Sequence, residues 1–462
     1  MLLKSLLTSL VGCTMASLAI AANSTVATIE VTGNAFFNSD TGDRFYIRGV
    51  DYQPGGSSNL TDPLADTNVC LRDLPYFQKL GINTVRVYTV DNSLSHDDCM
   101  NAFADAGIYL ILDVNTPDAS INRNSPACSY NAAYLQNVFA TIDAFANYTN
   151  VLGFFAGNEV INDSNNTNAA TYVKAVVRDM KNYIKARNYR TIPVGYSAAD
   201  IVSNRVLIAE YLNCGNDSMA RLDMFGVNDY SWCGHSSFTV SGWSEKVKLY
   251  DGYSKPMFLS EFGCNEVVDS RPFTEIEALY NVEMTSVFSG GLVYEYTNET
   301  NNYGLVQIDN ENNTVTELQD FINLQSEYNK TSNPTGDGGY SKSSDYSTCP
   351  TYEAGVWEAN NTLPEMPTAA SAYFKSGAGE PMGTILSTEG DCDAEYDLEI
   401  SSSVEATSSS EVSTSSIESN SSSMTTATST TTSSSKSKDS GNLNIQVPTI
   451  FKIVNEIMNY II

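Results

Sequence analysis

Eight short β-rich apolar runs, each followed by a helical pattern, recur between Arg44 and Asn298 of this chain. They are Phe45 to Tyr52, Ile82 to Val90, Ile108 to Asn115, Val151 to Val160, Thr191 to Ser197, Met224 to Trp232, Pro256 to Cys264 and Gly291 to Thr297. Intervening segments such as Tyr172 to Ala186 and Ile276 to Val287 carry apolar residues at helical spacing. Strands that are apolar throughout and alternate with helices belong to a parallel sheet buried on both faces. Eight such units within about 250 residues fit a (β/α)8 TIM barrel. A doubly wound open sheet is the alternative; it usually opens on a Gly-rich first turn, which is missing here.

A barrel places its active site at the C-terminal ends of its strands. Those ends read Asp51-Tyr52-Gln53, Arg86-Val87-Tyr88, Asp113-Val114-Asn115, Gly157-Asn158-Glu159, Asn228-Asp229-Tyr230, Ser260-Glu261 and Tyr294-Glu295-Tyr296. A single Asp or Asn after a strand commonly caps the next helix. A rim that is polar all round points instead to a site. Glu159 and Glu261 end the fourth and seventh runs, across the mouth of a closed barrel. Two carboxyl groups about 5–5.5 Å apart support retaining glycoside chemistry, one as nucleophile and one as acid and then base. The acid must keep its proton, which burial or a neighbouring anion achieves. Arg86 is the cation expected to hold Glu261 charged and is counted among the substrate-binding residues, although a structural ion pair explains it as well. The Asn158 amide suits a sugar 2-hydroxyl, and Tyr88, Tyr230, Tyr294 and Tyr296 offer flat faces to sugar rings.

Other chemistries lack parts. Lys+Arg 25 against Asp+Glu 54 gives a net charge of -29, which repels nucleic acid and anionic lipid alike. His96 and His235 are the two histidines, with no cluster at metal-ligand spacing, so neither a metal centre nor a Ser-His-Asp triad is expected. No GxxxxGK[ST] loop or strand-anchored GxGxxG occurs, so no cofactor is expected.

The ends of the chain suggest its location. Lys4, an apolar stretch from Leu6 to Ile20 and small residues to Ala22 read as a secretory signal peptide over 1–22, rather than a transmembrane anchor. Eleven N-x-[ST] sequons fit a secreted glycoprotein. Residues 399–440 are rich in Ser and Thr and read as an extended stalk. Residues 441–462 follow small residues with an apolar tail, as a GPI-attachment signal does, but Lys452, Asn455, Glu456 and Asn459 interrupt it and its apolar positions also fit an amphipathic helix.

The runs Ile47-Arg48-Gly49-Val50-Asp51-Tyr52-Gln53-Pro54, Asp62-Pro63-Leu64-Ala65-Asp66 with Cys70, Leu80-Gly81-Ile82-Asn83-Thr84-Val85-Arg86-Val87-Tyr88, Gly157-Asn158-Glu159-Val160, Ser260-Glu261-Phe262-Gly263-Cys264-Asn265 and Gly290-Gly291-Leu292-Val293-Tyr294-Glu295-Tyr296 occur in that order. In them the chain resembles the fungal β-1,3-glucanosyltransferases, the Gas/Gel/Phr group of glycoside hydrolase family 72, from about Ala27 to Asp309. The resemblance implies a (β/α)8 barrel over 23–320 and a retaining mechanism with Glu159 as acid/base and Glu261 as nucleophile. It also implies Asn158, Gln53, Tyr88, Tyr230 and Tyr294 as sugar contacts. The reaction implied cleaves a β-1,3-glucan internally and transfers the new reducing end to the non-reducing end of an acceptor chain in the cell wall. Members are commonly GPI-anchored at the cell surface, which would be the sole membrane contact. Beyond Cys264 only Cys349 and Cys392 remain, too few for the cysteine-rich carbohydrate module of some members, so 321–398 reads as a short C-terminal extension packed on the barrel.

Outside the signal segment eight cysteines remain, an even number suited to an oxidising compartment. Cys233 and Cys264 follow neighbouring strands and are expected to pair, as the resemblance also implies. Cys70–Cys99 is expected to join the first two helices and Cys214–Cys349 to tie the extension down, leaving Cys128–Cys392 by elimination. A β-1,3-glucan hydrolase, or an inactive wall-binding glycoprotein, are the rival readings.

Overall fold

The structure is a computed structural model and describes residues 26–266 and 269–384. The chain enters through three short antiparallel strands, β1 (Ile29–Thr32), β2 (Ala35–Asn38) and β3 (Arg44–Phe45). There follow β4 (Ile47–Asp51), α1 (Thr67–Leu80), β5 (Thr84–Val87), α2 (Asp97–Asp105), β6 (Tyr109–Asp113), α3 (Pro126–Ser129), α4 (Ala132–Phe145) and β7 (Val151–Asn158). Next come α5 (Ala170–Ala186), β8 (Val194–Ala199), α6 (Arg205–Leu212), β9 (Met224–Cys233), α7 (Trp243–Leu249) and β10 (Met257–Cys264). The barrel ends with α8 (Glu275–Leu279), α9 (Val282–Thr285) and β11 (Phe288–Val293); a hairpin of β12 (Val306–Asp309) and β13 (Thr314–Glu317) then leads into α10 (Gln319–Lys330). Strands β4 to β11 pair in chain order, all parallel, and β11 pairs back onto β4, which closes the barrel.

Local signals set these elements. Helix α1 starts where the Asp66 carboxylate accepts from the Asn68 amide and stops at Gly81, whose φ of 73° ends the helix in a left-handed cap. Strands β5, β6 and β8 are buried at every position, as both faces are covered. Inside the lower barrel, Phe36, Ile47, Ile111, Leu152, Phe155, Met224, Phe258 and Leu292 form one apolar layer. Here Gly153 and Gly195 are obligatory, since a Cβ on either would come within 2.5 Å of the Met224 side chain that fills their space. The β1–β2 hairpin plugs this end, Phe36 meeting Phe258 edge-on at 6.0 Å. The lower barrel is therefore dry, and polar groups crowd the upper half.

Three features depart from the sequence reading. The eighth strand is Phe288–Val293 rather than Gly291 to Thr297, because Gly290 and Gly291 pair with Ile47 and Arg48 and the chain leaves the sheet after Val293. The helical pattern from Ile276 to Val287 is two short helices, with Asn281 between them capping the second through the Glu283 amide. The plugging sheet of β1–β3 was not foreseen, its strands being too short for a periodic pattern.

After α10 the chain runs along the barrel flank. Ser341 bonds Asn34, Ser347 bonds Asn213, Glu358 and Asn360 donate to Thr167 and Thr171, and Gly383 donates to Asn92. Trp357 packs edge-on against Tyr211 at 5.5 Å. Disulfides link Cys70 to Cys99, Cys214 to Cys349 and Cys233 to Cys264. Cys128 is also disulfide-bonded; Cys392, the partner expected for it, lies outside the described residues, as do 1–22, 399–440 and 441–462. The Cys214–Cys349 bridge closes a separation of 135 residues, for which chain entropy gives about 5 kcal/mol. Replacing both cysteines with alanine is expected to lower the unfolding free energy in urea by about 2–5 kcal/mol; an unchanged midpoint and slope would show that the extension is held by its other contacts alone.

Candidate active site

The chain brings Glu159 and Glu261 to the same mouth in different surroundings. Glu159 follows the last residue of β7 with φ at 48°, a left-handed conformation that costs about 1–3 kcal/mol in a non-glycine residue and is held by fixed contacts. Its amide donates to the Ser197 carbonyl at 2.9 Å, and its own carbonyl accepts from Arg123 Nη2 at 3.1 Å. Its carboxylate oxygen Oε1 accepts from Asn228 Nδ2 at 2.9 Å. The orientation of Asn228 is fixed because its Oδ1 accepts from both Ser197 Oγ at 3.1 Å and Ser260 Oγ at 2.8 Å. Its Nδ2 therefore faces Glu159, and also lies 3.1 Å from Asn158 Oδ1. The sequence reading named Asn228 as a strand end and gave it no role.

Glu261, on β10, sits in a denser cradle. Its Oε1 accepts from Tyr88 OH at 2.9 Å and Arg86 Nη1 at 3.2 Å, and its Oε2 accepts from Tyr230 OH at 2.8 Å. Arg86 is fully buried and forks onto Asp113 through Nε and Nη2 at 3.1 and 2.9 Å. Its Nη1 also reaches the Ser260 carbonyl at 3.2 Å. The guanidinium lies 4.2 Å from the Tyr88 ring centroid and 5.0 Å from that of Phe155, at the top of the apolar layer.

Burial raises the pKa of Glu159, opposed by the Asn228 hydrogen bond and the charges of Arg123 and Arg86. Burial pushes Glu261 up to about 7; Arg86 opposes this, the charge of Glu159 adds to it, and Tyr230 and Tyr88 oppose it. The Glu159 contribution vanishes once Glu159 holds a proton, and Glu261 then ionises more readily. One cation and two phenols touch Glu261, whereas one neutral amide touches Glu159. The donors present therefore favour charge on Glu261 over Glu159, against the burial that raises both carboxyls.

Three expected sugar contacts stand elsewhere. Tyr296 is fully buried; its hydroxyl donates to Asp73 Oδ1 at 3.2 Å and its ring packs on Phe77 at 4.9 Å. The reason is that β11 ends at Val293, so strand alternation from Tyr294 does not carry to Tyr296. The Gln53 amide is spent on backbone: Nε2 donates to the Asn59 and Thr61 carbonyls, and Oε1 accepts from the Tyr88 and Thr89 amides. Arg86 has no exposed surface. Gln53 and Arg86 spend their polar atoms on neighbouring protein groups. Tyr230, Tyr294 and Tyr303 do cluster at the mouth, with ring centroids 5.4–6.3 Å apart, and Tyr294 OH lies 3.1 Å from Ser57 Oγ. Tyr303, in the loop after β11, had no signal in the sequence beyond a general abundance of tyrosine. Among the described residues one grouping has metal-ligand geometry, Cys233, Cys264 and Glu266, and its sulfurs are spent on their mutual disulfide.

The chain matches the family model described as Glucanosyltransferase over residues 18–332. It is 71 % identical over 396 residues to the 1,3-beta-glucanosyltransferase GAS5 of Saccharomyces cerevisiae, covering 86 % of this chain and 81 % of that protein. It is 57 % identical over 372 residues to the 1,3-beta-glucanosyltransferase PGA4 of Candida albicans, covering 80 % and 81 %. Among solved structures, a glutamate-to-glutamine mutant of Saccharomyces cerevisiae Gas2p in complex with laminaritetraose and laminaripentaose superposes with a TM-score of 0.69 at 44 % identity, covering 74 % of this chain and 75 % of that one.

Because a hydrogen bond to a charged group contributes about 1.5–3 kcal/mol, Tyr230→Phe is expected to raise the pKa of Glu261 by about one to two units. A 13C titration of the glutamate carboxyls checks this; a pKa that falls or stays put would remove Tyr230 from the cradle.

Proposed function

The chain belongs to the glucanosyltransferase family, and we propose that Glu261 as nucleophile and Glu159 as acid and then base carry its reaction, the transfer of β-1,3-glucan segments between chains. One observation supports the assignment of roles: Arg86, Tyr88 and Tyr230 all donate to Glu261, while Glu159 meets a single amide. A nucleophile must be charged before it attacks, and an acid must still hold its proton.

In the first step Glu261 attacks the anomeric carbon of the donor while Glu159 gives its proton to the departing glycosidic oxygen. The glycosidic bond breaks, the reducing-end fragment leaves, and a covalent glycosyl ester forms on Glu261. In the second, Glu159 takes the proton of an acceptor hydroxyl at the non-reducing end of another chain, and that oxygen displaces Glu261. Two inversions retain the β configuration. The donation from Asn228 Nδ2 to Asn158 Oδ1 supports Asn158 as the partner of the sugar 2-hydroxyl, a hydrogen bond that strengthens as charge develops on the ring. Tyr230, Tyr294 and Tyr303 offer apolar faces to glucose rings and help keep water from the ester.

The setting proposed for this chemistry is the cell surface. The signal reading over 1–22, the Ser/Thr-rich stalk over 399–440 and the GPI-signal reading over 441–462 support it. No helix among the described residues is long and apolar enough to cross a membrane.

Glu159→Gln and Glu261→Gln are each expected to lower turnover of a β-1,3-glucan oligosaccharide by about 100-fold or more, with unchanged melting behaviour. Mass spectrometry of wild-type products is expected to show chains longer than the substrate. Shorter chains alone would make the protein a hydrolase, and no products would make it a binding protein.

A further inference from the structure

Five carboxyl groups stand around the mouth: Asp51, Asp113, Glu261 and Glu295 are buried and Glu159 is half-buried. Four have donors, namely Arg86 on Asp113, Asn228 on Glu159, Arg86 with two phenols on Glu261, and Asn301 Nδ2 on Glu295 at 2.8 Å. Asp51 differs. It is the last residue of β4, has no exposed surface, and neither of its carboxyl oxygens has a hydrogen-bond partner in the protein. The groups whose charges act on it come from every neighbouring element: Arg86 of β5, Glu261 of β10, Asp113 of β6 and Glu295 after β11. It also acts on the phenols of Tyr88 and Tyr294. A single cation, Arg86, thus acts on Asp51 against three carboxyls, and the polar hydrogens of Arg86 go to Asp113, Glu261 and the Ser260 carbonyl.

A buried carboxylate with no donor is among the costliest groups a protein can hold, and protonation removes most of that cost. We infer that Asp51 is a positioning residue that works uncharged, staying protonated near Glu261 so that Arg86 serves no carboxylates but Asp113 and Glu261. If Asp51 ionised, a second negative charge would face Glu261 and make it harder to keep the nucleophile charged. Burial pushes the Asp51 pKa well above its ordinary 3.8, with Glu261, Asp113 and Glu295 adding to the rise and Arg86 opposing it. The inference rests on the reading of Glu261 as the charged nucleophile.

Linkage gives a test that needs no turnover. A carboxyl whose folded pKa is raised contributes stability that is complete below its unfolded pKa and is lost as pH rises toward the folded value. Wild type should therefore lose stability relative to Asp51→Asn, a neutral isostere, at each step above about pH 4. Thermal melts of the full chain are expected to show the difference in Tm, variant minus wild type, growing by on the order of 2 °C per pH unit. A difference that is flat or shrinks with pH overturns the inference. Should Asp51→Asn not fold, Asp51→Ala carries the same expectation for the slope. The pH profile supplies a second readout: the acid limb of kcat/KM should stay where wild type has it, whereas a limb moved to lower pH means that a charged Asp51 had been raising Glu261. A growing Tm difference together with catalysis that does not depend on Glu261 would leave Asp51 neutral and reject the nucleophile reading instead.

Discussion

Arg86 is enclosed on every side, and the upper half of the barrel is arranged around its guanidinium. It joins β5 to Asp113 on β6 and to Glu261 across the barrel on β10, so one side chain fixes three strands relative to each other. Taking such a charge out of water costs several kcal/mol, and the cost is offset only where each donor finds a well-placed acceptor. The planar fork meets that condition on Asp113, and the remaining nitrogen meets it on Glu261 and the Ser260 carbonyl. A lysine has no such fork, so it could not hold the same three acceptors.

Two layers of the fold make this possible. Below, aromatic and aliphatic side chains interdigitate against two glycines and seal the barrel floor, so that Phe155 presents a dry face to the guanidinium. Above, the hydroxyls of Ser197 and Ser260 on the flanking strands both donate to the Asn228 amide oxygen, which turns the amide nitrogen toward Glu159. Parallel strands deliver all these groups to one end of the barrel. The two glutamates are therefore chemically alike and electrostatically distinct, as a two-step displacement requires.

How much of this was legible follows from what periodicity can record. The barrel was readable because continuous apolar runs alternate with helical patterns, and Glu159, Glu261, Tyr88 and Tyr230 were readable because they break those runs at their C-terminal ends. Gln53 and Tyr296 break the same pattern and turn out to serve the loop after β4 and the layer around α1, since a sequence shows that a residue is polar but not what satisfies it. Tyr303 lies in a loop of no regular period, and Asn228 gains its part only from the serines on the strands either side. The β1–β3 plug is held by tertiary contacts such as Phe36 on Phe258, for which four-residue strands leave no pattern.

The central claim is that the cradle built on Arg86 makes Glu261 the charged carboxyl and hence the atom that bonds to sugar. The most direct measurement is to trap the ester with a 2-fluoro glycosyl inactivator and locate the label by peptide mass spectrometry. The account expects one label per chain on the peptide bearing Glu261, and none after Glu261→Gln. A label on Glu159 would reverse the two roles and contradict the account.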